Sequence, residues 1–248
     1  MPIGGIPTEW DIRVHYYSDY LSSLEQFLEN EARTLDERYD AEAQKIITEG
    51  KNKKRTSRSE HTLSPQLNEI ELELDALADS LGERRRELED IFSNILRRSF
   101  FVAIYSLIEA QLNAICHDQE RAKGLESSVE DLTEPDKGIG RARKYLVNEA
   151  RIRFPDSPEW NKLRGYQKLR NCIIHNEGRL GSGHKNHERA RKYLKEEFIP
   201  QHYPKLEWKQ FDDEIIFHKG FCEEVLQVSR RFFTKLFAAL RSEEEGDF

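Results

Sequence analysis

An all-α fold is what this sequence predicts, and three observations predict it. Hydrophobic residues make up only 37% of the chain and charged residues 34%, a balance that suits long amphipathic helices rather than a compact sheet protein. Apolar positions recur three and four residues apart through most of the 248 residues, the period of a helix with one buried stripe. Glycines and prolines are few, 13 and 8. The length suits one large domain, or one domain with an elaborated end, and allows a sizeable core.

The first helix is expected from about Trp10 to Glu49, with Tyr17, Tyr20, Leu21, Leu24, Phe27 and Leu28 at helical spacing. Lys51-Asn52-Lys53-Lys54-Arg55-Thr56-Ser57-Arg58 then reads as a mobile basic linker, whose simplest use is a solvated loop. Ser64 and Pro65 supply a cap and a first helical residue for the next helix. Leu67, Ile70, Leu74, Leu77 and Leu81 continue it, and Gly82 is a candidate interruption. Leu88, Ile91, Ile95, Phe101, Ile104, Ile108, Leu112 and Ile115 predict a long buried-face helix at the centre of the fold. A polar loop with Pro135 and Gly138-Ile139-Gly140 precedes a shorter helix over about Arg141 to Arg153.

Pro155-Asp156-Ser157-Pro158 supplies a stop, a cap and a restart, so the next helix should run from about Pro158 to Asn176. Gly178, Gly181 and Gly183 should end it. A short basic helix (Glu188 to Glu197) follows. Leu206-Glu207-Trp208 and Glu214-Ile215-Ile216-Phe217, with Asp212-Asp213 between them, predict a small β-hairpin near the C-terminus. A last helix, from about Lys219 to Leu240, carries Phe221, Val225, Val228, Phe232, Leu236 and Leu240. The expected division is 1–60, an N-terminal helical extension with the basic linker, and 61–248, the main helical domain.

Several classes are not expected. No uninterrupted run of about 18 apolar residues is present, so no membrane span is expected. Met1-Pro2-Ile3-Gly4-Gly5 lacks the charged and apolar regions of a signal peptide. Cys116, Cys172 and Cys222 lie about fifty residues apart in apolar helical contexts. They read as reduced core residues of a cytoplasmic protein rather than a disulfide framework or zinc site. No glycine-rich phosphate loop or nucleophile elbow occurs, and Gly138-Ile139-Gly140 reads as a hinge or cap. His184 and His187 have the spacing of one helix face but no nearby Cys or acid, so neither a metal nor another cofactor is expected. The acidic tail Glu243-Glu244-Glu245 reads as a solvated end.

Charge is unevenly distributed. The whole chain carries −7, yet Lys137 to Lys195 holds sixteen Lys/Arg against five Asp/Glu, a net of +11. Such a basic segment is where phosphate binding would be placed, although basic residues also simply cover helix faces. Within it lies Arg170-Asn171-Cys172-Ile173-Ile174-His175. On a helical wheel of about 100° per residue, Tyr166, Leu169 and Ile173 form the core stripe and Arg164, Lys168, Asn171 and His175 cluster opposite it. Arg170 sits near the boundary, about 140° from His175, and its long side chain can swing around the helix or reach the same groove from a second copy. An imidazole moves protons and a guanidinium holds a phosphate whose charge grows in a transition state, the pair that metal-free RNA cleavage can use. A surface histidine in a last helical turn is equally a favourable cap, and a boundary arginine equally an ion-paired side chain.

Leu169-Arg170-Asn171-Cys172-Ile173-Ile174-His175-Asn176 resembles the signature of the HEPN superfamily, in which arginine, an adjacent polar residue and a histidine after four to six positions form a ribonuclease site. Phe101-Val102-Ala103-Ile104-Tyr105-Ser106-Leu107-Ile108-Glu109 is similar to the family's core helix before the motif. The resemblance covers about Leu88 to Leu240. It implies an HEPN-like helical bundle, a metal-independent endoribonuclease without cofactor, and a homodimer whose paired motif helices build one groove. It implies Arg170, Asn171 and His175 as the catalytic set and RNA as the partner. With it come RNA contacts from Arg164, Lys168 and Arg179, and support from Glu109, for which an ordinary salt bridge is the other reading. A toxin or phage-defence role, with a cognate antitoxin or defence partner, follows by analogy alone, as does the alternative of a catalytically silent module binding RNA, a nucleotide or a protein. Members silenced by nucleotidyl transfer carry tyrosine two positions after the histidine; here that residue is Glu177.

Overall fold

The computed structural model describes residues 8–56, 63–132, 138–180, 188–211 and 213–246, and side chains for these apart from 53–56, 63–67 and 244–246. The fold is all-α with one two-stranded sheet. The chain divides into two compact units, Met1–Leu21 with Leu96–Phe248, and Ser22–Ile95; position 60 falls within the second.

The second unit is a helical hairpin made by the C-terminal part of α1 (Glu9–Thr56), by α2 (Leu63–Arg86) and by a π-helical segment, Glu87–Phe92. Its arms run antiparallel: Asp36 pairs with Arg85 at 2.8 Å, and Gly50 faces Ile70. A Cβ at Gly50 would lie 2.7 Å from Ile70 Cγ1, so the Ile70 side chain would have to move to admit one. The expected linker is corrected in its first part: α1 stays helical through Thr56, because Lys, Arg and Asn are compatible with an exposed helix. Ser57 and Arg58 lie outside the described residues. Leu63 rather than Pro65 opens α2, and Gly82 does not interrupt it.

The π segment passes directly into α3 (Ser93–Lys123). Here a second expectation is corrected. Ile91 and Ile95 are not on the buried face, being 53% and 52% exposed, while Ser93 and Asn94 are buried. Ile95 lies about 180° from Ile104 on a regular wheel, so one straight stripe cannot bury both. A stretch within the continuous helix Asn68–Lys123 is long and apolar enough to cross a membrane by length and composition, and half of it is buried inside the protein. Tolerating a few polar residues, rather than requiring an unbroken apolar run, is what reveals it.

In the first unit, α3 supplies the central buried stripe (Phe101, Ile104, Tyr105, Ile108, Leu112, Ile115). Around it stand α4 (Ile139–Asn148), α5 (Pro158–Asn176) and α8 (Phe221–Gly246). Ser157 caps α5 by accepting from Trp160 N–H, with Pro158 at its first position, as the sequence predicts. Phe101, Tyr166 and Phe221 join α3, α5 and α8 at ring separations of 6.1, 5.9 and 5.8 Å. Glu159 on α5 pairs with Lys235 on α8 at 2.7 Å, and the Trp10 ring packs tilted against Phe233 at 4.1 Å. The expected basic helix is α6 (Glu188–Tyr193), a π-helical segment Leu194–Phe198 and α7 (Ile199–His202). The hairpin forms as predicted, β1 (Leu206–Lys209) pairing antiparallel with β2 (Glu214–Phe217) and Leu206 opposite Phe217.

Candidate functional site

Position along α5 decides which motif residues meet. Tyr166 and Leu169 are fully buried and Cys172 is buried, whereas Ile173 is only half-buried, so the core stripe is rotated slightly from the expected one. His175 is exposed, one residue before the helix ends. Glu177 then takes the left-handed cap conformation (φ 54°) and Gly178 follows at φ 78°. A Cβ at Gly178 would strike the Arg98 guanidinium, 2.6 Å from Nη2. Arg98 donates from Nη2 to the Glu177 carbonyl and pairs through Nη1 with Glu214 at 2.7 Å. Arg98 therefore ties α3 to the end of α5 and to β2. Leu180 N–H donates to the Asp213 carbonyl and Ile215 N–H to the Gly178 carbonyl. These bonds fix the backbone that follows His175.

Four of the expected residues are placed on one side. Lys168, Asn171 and His175, together with Cys172 and Asn176, line a small open cavity of about 70 Å³ whose opposite wall is Ala190 and Arg191 of α6 with Leu194. Arg164, exposed one turn earlier, crowds Lys168: burial first, and then the Arg164 charge, lower the lysine's proton affinity. Lys168 Nζ sits 3.6 Å from the centroid of the Tyr193 ring, a cation–π contact. Cys172 forms part of the apolar floor, and burial pushes its thiol up to about 11, so it is not a nucleophile at neutral pH. Arg179 is exposed and lies beside β2, bridged to Glu214 through the backbone, and is not among the lining residues.

Arg170 goes elsewhere. Its Nη2 is 4.0 Å from Glu109 Oε2 on α3, and its Nε is buried without a hydrogen-bond partner among the described residues. Its Nη1 donates to Asn171 Oδ1 at 3.1 Å. Asn171 thus touches both faces, bonded to the arginine and lining the histidine's cavity. Glu109 is held half-buried; burial raises its pKa and the Arg170 charge opposes that rise. Gly138, at φ 58°, leaves the room these groups occupy, since a Cβ would lie 2.6 Å from Glu109 Oε1. Tyr105 Oη is buried beside them without a hydrogen-bond partner among the described residues, and burial and Glu109 raise the phenol's pKa.

Two features were not legible in the sequence reading. Arg191 looked like one of several basic residues in a short helix, and only its packing puts it opposite His175. The other is His202, 2% exposed, whose Nδ1 is 2.8 Å from the Phe198 carbonyl and whose Nε2 is 3.6 Å from Glu224. Glu224 also pairs with Lys162 at 2.9 Å and Lys205 at 3.2 Å. Burial lowers the His202 pKa, so a neutral ring donating through Nδ1 is favoured, and the cluster reads as a polar clasp between α5, α7 and α8. Nothing short of the tertiary pairing marks it. His184 and His187 lie outside the described residues, as do Gly181 and Gly183. No family model matches the chain, and neither a curated protein nor a solved structure shows significant similarity to it.

Proposed function

We propose that this chain is a metal-independent, HEPN-type endoribonuclease. The RNA's own 2′-hydroxyl attacks the adjacent phosphate, leaving a cyclic phosphate, or its hydrolysis product, and a 5′-hydroxyl. His175 moves the proton, Arg170 stabilises the phosphorane-like charge and Asn171 orients the phosphate through its amide. Lys168 and Arg164 hold the RNA backbone, Arg179 extends that contact, and Glu109 holds Arg170. A homodimer places the Arg170 of one copy against the His175 of the other. A cytoplasmic toxin or defence role, restrained by an antitoxin or a defence-system partner, is the biological setting that the motif's analogy suggests.

The observation that carries the reading is the placement of Asn171: its side chain is bonded to Arg170 and shares a cavity with His175 and Lys168. A second reading, a catalytically silent helical module, is favoured by one observation, the Arg170–Glu109 pair, which a purely structural arginine would also make. Purified protein incubated with RNA in the presence of chelator separates the two. His175→Ala and Arg170→Ala should each lower cleavage by at least ~100-fold, the scale of losing a general acid–base or a charge stabiliser. A substrate with a single deoxyribose at the cut should resist. His175→Ala cutting at the wild-type rate, or cutting that requires a divalent ion, refutes the catalytic assignment.

A further inference from the structure

We infer that Tyr105 is a positioning residue for Arg170. With Glu109 it forms a latch of two states: the carboxylate holds the arginine against α3 in the free protein, and turns to the phenol when the arginine engages an RNA phosphate. The inference deepens the ribonuclease reading and rests on it for the identity of the ligand.

Its first support is how the guanidinium is held. Nη1 donates to Asn171 Oδ1 at 3.1 Å, Nη2 lies 4.0 Å from Glu109 Oε2, and Nε is buried with no hydrogen-bond partner among the described residues. The group is thus drawn toward α3, whereas Lys168 and His175 line the cleft between α5 and α6. Bidentate recognition of a phosphate uses two neighbouring N–H groups of the fork. Here the edge that contains Nε is turned inward, and a phosphate meets that edge only after the arginine moves.

The second support is the looseness of the pair. At 4.0 Å the Arg170–Glu109 contact lies at the limit of an ion pair, whereas Glu159–Lys235 and Arg98–Glu214 close to 2.7 Å. Burial of Glu109 outweighs the pull of the arginine, and its pKa rises. A latch that has to open needs such a weak hold.

The third is a second partner for the carboxylate. Tyr105 stands one turn before Glu109 on the same face of α3. It is fully buried, its Oη has no hydrogen-bond partner among the described residues, and the charges of both Glu109 and Arg170 act on it. A buried hydroxyl without a partner is costly, and so is a half-buried carboxylate that loses its counter-charge. One hydrogen bond from the phenol to Glu109 answers both once the arginine has left. Glu109 Oε1 lies over Gly138, 2.6 Å from where a Cβ would stand, so the glycine gives the carboxylate room to turn.

The test uses the full chain and a non-cleavable 2′-O-methyl oligonucleotide, with affinity read by fluorescence anisotropy. Glu109→Gln should raise affinity by at least ~3-fold, the scale of a partly exposed ion pair, and the rise should vanish when Arg170→Ala is added. Tyr105→Phe should lower affinity by ~10-fold, the scale of a hydrogen bond to a charged group, without lowering Tm. In wild type, saturating oligonucleotide should shift the NMR signals of the Arg170 Nε–H and the Tyr105 ring together. Equal or weaker affinity in Glu109→Gln overturns the latch. So does a rise that survives Arg170→Ala, since removing any negative charge nearby would do the same. Tyr105→Phe that binds like wild type, or that loses affinity and Tm together, overturns the role of the phenol. Arg170 and Tyr105 signals that stay fixed on binding overturn it as well. If every binding result is as expected while natural RNA is never cut, the latch stands and the ribonuclease reading alone falls.

Discussion

Replacing Gly165 by alanine tests the packing that builds the cleft. Gly165 is buried on the α5 face toward the α6 run, where a Cβ would lie 2.6 Å from Phe198 Cδ2, nearer still to Cε2, and 3.1 Å from Tyr193 Oη. Ordinary carbon contacts are about 3.5–4.0 Å, so the ring or the helix must retreat by about 1 Å. Phe198 is 1% exposed and packed edge-to-face on Tyr166 at 5.7 Å and tilted against His202 at 4.3 Å, so it has little room to turn. Overpacking of this kind costs about 1–3 kcal/mol, and the upper end fits a locked ring. Alanine returns about 1 kcal/mol of helix propensity, leaving a net loss of about 2 kcal/mol. For a chain of this size that is a fall in Tm of about 4–8 °C, read by calorimetry or by circular dichroism. Gly82→Ala is the control. Nothing lies within 4 Å of its Cβ position on exposed α2, so the same substitution should stabilise by up to about 1 kcal/mol. A Gly165→Ala protein that melts at or above wild type refutes the packing argument, as does a pair of variants that shift in the same direction.

Acid should weaken the Glu159–Lys235 pair between α5 and α8. The Lys235 hydrogen bond, with weaker help from backbone and Ser157, pulls Glu159 down to about 2 from its ordinary 4.5. A carboxylate held low contributes stability above its unfolded pKa and loses it as pH falls from about 5 toward 2. Glu159→Gln should therefore cost about 1 kcal/mol at pH 7, the lysine being half-exposed, and the difference from wild type should close in urea melts toward pH 2–3. RNA affinity should fall steeply with added salt. Charge reversal at Lys168 or Arg164 should weaken it more than reversal at Lys51 or Lys54, and equal losses would move the RNA away from the motif face. Light scattering should find a dimer at micromolar concentration; an active monomer would remove the need for Arg170 and His175 to meet across copies.

Much of the fold was readable because its elements carry local signals. Ser157-Pro158 announces the start of α5 to the residue, and the apolar runs around Asp212-Asp213 announce the hairpin. What failed were inferences about continuity. Lys51 to Thr56 looked like a linker because charge density suggests solvent, yet an exposed helix arm tolerates the same residues. Ile91 and Ile95 are apolar, yet Ile95 lies a half turn from Ile104 on a regular wheel and both are exposed. The site divides in the same way. Spacing placed Lys168, Asn171 and His175 on one face, and they do line one cavity. Arg191, Arg98 and Glu224 act through residues 62 to 116 positions away or across a helix pair, and a periodicity argument does not see such pairs.

The five-residue step from Arg170 to His175 sets a geometric limit on the chemistry. At about 100° per residue the two Cβ directions differ by about 140°, so meeting at one phosphate within a single α5 requires the long Arg170 side chain to swing around the helix. Two arrangements avoid that swing. A second copy can bring its own Arg170 to the first copy's His175, or a later helix of the same chain can supply the cation. Gly165 lets Phe198 and Tyr193 approach α5 without a Cβ between them, and Arg191 of the α6 run lines the same cavity as His175. Gly165→Ala should then act twice: a lower Tm from the displaced ring, and weaker phosphate binding from a cation wall moved off the histidine. Lost stability with unchanged phosphate affinity would show that the α5–α6 spacing does not set the site.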